Sequence, residues 1–359
     1  MLKDERLAGL STQYNVARFV SFSPGTEPQV RHLVLGEVDR FEDITSALHA
    51  LLQLVKTVNV RTFRDDQSKS TPFVYGVGSP NEAEAIVRDF ASQGLYTIVN
   101  ETIDINDGGV SGVTLGGVTE FSPGATPRVV EDPNGDVARL PTPMARAMLR
   151  TVYGFDPQVQ ADSGQRLEFS VHPLRVGSRA SHSLVWEIGQ VPDRPLQVHV
   201  TWPNAFSRFM GDKAYGLLLA HLSGLPVPQS TVVGRNLAPF TFGRSTGTYE
   251  TWTRTSPATA TPGHFTTVKG WIDPVSLLQR EDPNGLVASV IAQEGVDARH
   301  SGGAISTLDG PLVEGVAGRG VAFRCAGRVP TRLRRQVSRA FHRPHPRSPK
   351  EIGNARHRH

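Results

Sequence analysis

The sequence predicts a mixed α/β fold, and three observations predict it. Apolar residues in the first third alternate between helical spacing and a period of two. Glycine, proline and capping residues punctuate the changes, and helical and strand segments follow one another instead of grouping. Ile44, Leu48, Leu51, Leu52 and Val55 recur three or four apart, so residues 44–56 form a helix. Val58 to Phe63 then alternates as a strand.

Ser79-Pro80-Asn81-Glu82 reads as a capping box with proline at the first helical position, and Gly94 closes the helix it opens. Leu95 to Ile103 is the next strand, and Val110 to Phe121 another. Between them, Glu101, Asp104 and Asp107 flank the glycines 108 and 109. Asn-Asp-Gly-Gly reads first as a hairpin turn. The other reading is a hard-cation site, with the three carboxylates as oxygen ligands for magnesium.

The length of 359 residues suits two domains, each large enough to bury a core. We expect the first over residues 1–199 and the second over 200–320. Residues 321–359 form a tail of a different kind. From Arg319 onward there are twelve Lys or Arg against Glu351 alone, and the remainder carries 26 basic and 33 acidic residues. The net charge of +4 therefore hides an acidic body and a basic tail.

Three readings of the tail stand: a disordered segment, an out-of-frame translation of a GC-rich gene, and a nucleic-acid-binding arm. The last is poorly supplied with base-stacking groups, since Phe341 is the tail's one aromatic past Phe323. No apolar run reaches the roughly 18 residues of a membrane span, and the first residues lack a signal-peptide apolar core. With Cys325 as the one cysteine, no disulfide framework is available, and a cytoplasmic protein is expected.

The second domain opens on Gly211-Asp212-Lys213-Ala214. Lys213 is one of six lysines in a chain whose basic residues are mostly arginine. Tyr215, Leu218, Leu219 and Leu222 mark a helix over 212–222 that Gly224 ends. A lysine in a first turn opposes the helix dipole, whereas a bound phosphate would reverse the sign of that argument. A solvated surface lysine is the alternative, and a lone Gly-x-Lys does not separate the two.

Four short segments, in order, resemble the ATP-binding domain of the phosphoenolpyruvate synthase and pyruvate phosphate dikinase family. They are Gly211 to Pro228 with its Gly-Leu-Pro-Val-Pro turn; Arg254-Thr255-Ser256 with Pro262-Gly263 and Thr266-Thr267; Ser289 to Val296 with Ser301-Gly302-Gly303; and Val313 to Gly318. The resemblance covers residues 202–320. It implies an ATP-grasp-type domain whose two lobes hold ATP between them, with magnesium on the phosphates.

Carried over by position, Lys213 and Arg254 would contact the phosphates with Thr266 or Thr267 nearby, and Gln293, Glu294 and Val296 would border the adenine. Lys213 and Arg254 would also be the catalytic cations, because phosphoryl transfer requires mainly positioning and charge compensation. Metal ligands are unassigned, with Glu314, Glu101, Asp104 and Asp107 as candidates. Arg319-Gly320-Val321 departs from the family's acidic glycine turn, so slow or absent turnover is expected.

The function expected is ATP-dependent phosphoryl transfer, that of a kinase or transferase, to an unidentified acceptor. A nucleotide-binding regulatory protein and a carboxylate-amine ligase are the alternatives. The first domain's ligand is open. Arg61, Arg64 and Arg128 could meet an anionic substrate or an RNA partner, and none of His172, His182, His199 and His300 stands in a phosphohistidine motif.

Overall fold

The computed structural model describes residues 2–36, 40–64, 72–127, 136–158, 160–162, 164–175, 179–190, 200–259, 266–282, 284–307 and 310–317. Arg128, His199, Pro262, Gly263, Arg319 and the whole 321–359 tail with Cys325 lie outside the described residues. Two compact units divide the chain at Glu294.

The first unit, Met1–Glu294, is a mixed α/β assembly containing three five-stranded sheets. Its elements run α1 (Lys3–Leu10), β1 (Phe19–Phe22), β2 (Val30–Val34), α2 (Ile44–Leu54), β3 (Val58–Phe63), β4 (Phe73–Val77), α3 (Pro80–Ser92), β5 (Tyr96–Glu101), β6 (Val110–Leu115), β7 (Val118–Pro123), β8 (Ala138–Pro141) and α4 (Thr142–Tyr153). Then follow β9 (Gln165–Val171), β10 (Ser183–Gln190), α5 (Ala205–Met210), α6 (Asp212–Leu222), β11 (Ser230–Gly234), β12 (Phe240–Phe242), β13 (Thr251–Pro257), β14 (Thr267–Lys269), α7 (Pro274–Glu281) and β15 (Val287–Glu294). The sheet orders are β2-β1-β5-β3-β4, β10-β9-β6-β7-β8 and β12-β11-β15-β13-β14. Every strand pair in them is antiparallel.

Period-two patterning explains how the first sheet is covered. Val58 and Val60 of β3 pack with Leu48 and Leu51 of α2 and Val87 of α3. The intervening Asn59 and Arg61 are also buried but point to the opposite face, which explains why all of β3 is inaccessible. There Arg61 reaches the second sheet, donating from Nη2 to Glu168 Oε2 at 2.7 Å and to Glu187 Oε2 at 2.6 Å. Arg166 and Lys3 complete the cluster, at 2.6 Å from Glu168 and 2.8 Å from Glu187. Burial alone would raise the Glu168 carboxyl, but Arg61 and Arg166 hold it at about 2.

Ser79 accepts from the Glu82 amide and Pro80 occupies the first turn of α3, as the sequence predicts. Two expectations are corrected. Residues 110–121 are not one strand but β6 and β7, because Gly116 and Gly117 both take positive φ, 57° and 81°, and turn the chain between Leu115 and Val118. The turn around Asn106 to Gly109 is not a hairpin. β5 lies in the first sheet and β6 in the second, so the turn carries the chain between sheets. Local turn chemistry is the same in both cases; what differs is the pairing partner, which β1 and β3 supply to β5.

The second unit, from Gly295, contains an antiparallel pair among its described residues, β16 (His300–Thr307) with β17 (Gly310–Ala317). No helix among the described residues is long and apolar enough to cross a membrane.

Candidate functional site

The third sheet and the α5–α6 turn bring three of the residues singled out by sequence to one place. Strand pairing sets Arg254 opposite Ile291 and Trp252 opposite Gln293, so Arg254 and Gln293 are diagonal neighbours on β13 and β15. Arg254 Nη1 donates to Gln293 Oε1 at 2.9 Å, and Gln293 Nε2 donates to Ser230 Oγ on β11 at 3.1 Å.

Lys213 arrives from the first turn of α6, where its ammonium donates to the Thr255 carbonyl at 3.0 Å. Paired buried serines dock this turn onto the sheet. Ser256 Oγ accepts from the Ala214 amide at 3.2 Å, and Ser289 Oγ donates to the Met210 carbonyl at 2.5 Å. Both serines stand in the segments that carry the resemblance, but the sequence assigns neither a role, because the docking of α6 is not a local pattern.

Gly211 makes the approach sterically feasible. Its φ is 94°, and a Cβ there would sit 2.6 Å from the Ser256 carbonyl oxygen. Trp202 Nε1 donates to Asp212 Oδ1 at 2.6 Å, and Asp212 makes no ion pair with Lys213.

The electrostatics are those of uncompensated positive charge. Lys213 is held below the ordinary lysine value by burial first and by Arg254 second, with Asp212 acting weakly in the other direction. Burial also lowers Arg254. Neither cation forms a salt bridge with a described residue, and Arg254 Nε is buried without a partner. A guanidinium carries five N–H donors and an ammonium three, so most of this capacity is not taken up by the described residues.

The other expected nucleotide contacts are placed differently. The Thr266 carbonyl accepts from the Thr255 amide at 3.1 Å, and Thr267 is an exposed residue opposite Arg254 in β14. Glu294 points its carboxylate at a loop, accepting from the Thr246 amide at 2.6 Å and from Ser245 Oγ at 3.0 Å. The Thr246 amide is the first cause of its lowered pKa. Val296 is exposed and belongs to the second unit.

The carboxylates proposed for magnesium do not come together. Glu101 is buried, accepts from the Arg18 amide at 3.0 Å and is bound by Arg175. Asp104 accepts from the Asn106 amide at 2.9 Å. Asp107 accepts from the Gly109 amide at 2.8 Å and pairs with His172 Nδ1 at 2.7 Å. Each is thus committed to its own turn or ion pair. Glu314 lies on β17 of the second unit, and its side chain is outside the described residues. Among the described residues no group of three or more His, Cys, Asp or Glu could hold a metal ion.

Of the first unit's other candidates, Arg61 is paired as above and His182 packs its ring 4.9 Å from Phe155. Arg64 is exposed at the end of β3, and His300 opens β16. No family model matches the chain, and no curated protein matches it either.

Proposed function

We propose that the third sheet with α5 and α6 is the core of an ATP-grasp-type nucleotide site, and that the chain binds ATP for phosphoryl transfer to an acceptor of unknown identity. The observation that carries this reading is the juxtaposition of Lys213 and Arg254. Two partly buried cations repel each other without a carboxylate partner among the described residues. Keeping like charges together costs free energy unless an anion joins them, and a nucleotide phosphate supplies the acceptors they lack. The positive end of α6 adds to the same field. The resemblance supplies the second support, since it assigns phosphate contacts to these same residues.

Lys213 and Arg254 would hold the phosphate oxygens and offset charge developing on the transferred group, while Gln293 orients the guanidinium through its 2.9 Å hydrogen bond. Magnesium is implied by the nucleotide. The described residues do not fit a site for it, so no step is assigned to the metal.

Calorimetric titration with a non-hydrolysable ATP analogue tests the site. A charge-assisted contact contributes about 1.5–3 kcal/mol, so Lys213→Ala or Arg254→Ala should weaken binding about tenfold to a hundredfold. Unchanged affinity in both variants would end this reading. Release of ADP or AMP from ATP then separates an enzyme from a regulatory nucleotide binder, which gives neither.

A further inference from the structure

A cleft lies against the edge of the second sheet, lined by none of the residues of the Lys213–Arg254 pair. It measures about 200 Å³, enough for a small molecule and far beyond a single water. Its walls are Gln13 and Tyr14 just past α1, Gln158, Gln160 and Asp162 in the segment before β9, and Gln165 at the start of β9. The floor is Leu167, Val185 and Ile188, strand residues anchored in the same buried cluster as Phe169 and Leu149.

Four of the chain's fourteen glutamines meet in this one cleft. Chance placement over 359 residues would bring fewer than one to a lining of this size. Gln13, Gln158 and Gln160 are exposed and Gln165 is half-buried, so their amides converge on the rim of the cleft, above an apolar floor. Of the four side chains, only that of Gln165 is hydrogen-bonded to a described residue, its Oε1 accepting from the Asp162 amide at 3.1 Å. The amide groups of Gln13, Gln158 and Gln160 make no hydrogen bond within the described residues.

The lining chemistry selects the ligand. Each glutamine offers both a carbonyl acceptor and two N–H donors, which suits a ligand that itself donates and accepts at many points. No Lys, Arg or His lines the cleft, so phosphates and carboxylates find no counter-charge. Asp162 is the one acidic side chain in the lining, and its two oxygens can accept from two adjacent hydroxyls. Tyr14 and the aliphatic floor offer a C–H-tolerant surface on which a ring face can rest.

We infer that this cleft binds a neutral saccharide, with a pyranose ring laid on Leu167, Val185 and Ile188 and its hydroxyls shared among Gln158, Gln160, Gln165 and Asp162. A rim of several amides and one carboxylate discriminates by hydroxyl position, because each hydroxyl lost removes a hydrogen bond to the ligand. The inference does not depend on nucleotide binding, since none of these residues belongs to the Lys213–Arg254 site.

The test is a titration of the full chain with methyl glucoside, methyl mannoside and N-acetylglucosamine, followed by the glutamine side-chain amide signals in a ¹⁵N NMR spectrum. Inorganic phosphate and triglycine serve as the anionic and peptide arms. Saturable shifts with at least one sugar at about millimolar affinity are expected. The combined Gln158→Ala, Asp162→Asn variant should bind it at least tenfold more weakly at an unchanged thermal midpoint, whereas Lys213→Ala should bind it normally. The inference is overturned if no sugar shifts the glutamine amides of the unmodified chain. It is equally overturned if phosphate or triglycine shifts them and sugars do not, or if the double variant binds sugar as the parent does.

Discussion

Two clusters of positive charge among the described residues of the first unit, one buried and one half-buried, are treated in opposite ways. Between the first two sheets, Arg61, Arg166 and Lys3 surround Glu168 and Glu187, and every cation is within 2.8 Å of a carboxylate oxygen. At the third sheet, Lys213 of α6 and Arg254 of β13 lie close enough for Arg254 to depress the lysine, with a backbone carbonyl and an amide oxygen as their partners. The same physics gives opposite shifts. Carboxylates raise Arg61 against its own desolvation, whereas Lys213 and Arg254 are both lowered. A compensated cluster holds sheets together. The second cluster is half-exposed and has no carboxylate salt bridge among the described residues, which is the reason for proposing a ligand there and assigning architecture to the first.

The largest effect expected is at Glu168. Glu168→Gln leaves Arg61 and Arg166 buried with one carboxylate fewer, and breaking a buried pair in this way costs about 3–5 kcal/mol. Chemical denaturation should show that loss. Acid should produce a related one in the unmodified chain. The folded value of Glu168, about 2, lies below the ordinary carboxyl value, so its ionisation stabilises the fold at neutral pH. That contribution is lost as pH falls from the ordinary carboxyl range through the depressed folded value. A Glu168→Gln variant whose midpoint matched the parent at pH 7 would show that the cluster is not structural, and the comparison would collapse.

The contrasting variant is Lys213→Met. It keeps the aliphatic stem, removes one of two repelling charges, and should not lower the thermal midpoint, while ATP affinity falls. The two clusters would thus respond with opposite signs to removal of a charge. The pH dependence of nucleotide affinity sharpens this further. Burial and Arg254 depress the free lysine, so it loses its proton at lower pH than an ordinary lysine. A bound anion favours the protonated form. Affinity should therefore be constant at neutral pH and fall as pH rises through the depressed value, with proton uptake on binding in that range. Calorimetry in buffers of different ionisation enthalpy measures that uptake, and none would be seen if Lys213 lay outside the site.

How much of this was legible in the sequence differs between the two clusters. The helix at 212–222, the strand through Gln293 and the cation types at 213 and 254 are local patterns, and the structure has them as α6, β15 and β13. That Lys213 and Arg254 meet depends on a strand pairing and on a helix docked by Ser256 and Ser289, which no local pattern contains. Arg61 shows the converse. In sequence it is an alternating polar residue on a strand, indistinguishable from a solvated one, because nothing in Val58 to Phe63 reveals that a second sheet covers the other face. Its partners are more than a hundred residues away. The carboxylates near Gly108 failed as a group for the same reason: Arg175 and His172, both distant in sequence, claim Glu101 and Asp107 separately.

The smallest effect expected is at Glu294, which tests whether the candidate site extends from Gln293 to its neighbour's side chain. Its carboxylate receives the Thr246 amide and the hydroxyls of Ser245 and Thr246, so its role in the fold is to hold that loop. Glu294→Gln keeps one amide carbonyl as an acceptor but removes the charge that strengthens these bonds. Hydrogen exchange at the Thr246 and Gly247 amides should quicken, while the thermal midpoint moves little because the carboxylate is solvated. ATP affinity should change by less than about threefold, far below the loss at Lys213, since that shift corresponds to under 1 kcal/mol. A loss as large as that of Lys213→Ala, with loop exchange unchanged, would move Glu294 from the loop to the ligand. The anion site would then be a cation pair bordered by a carboxylate, and the contrast with the Arg61 cluster would narrow to one of geometry.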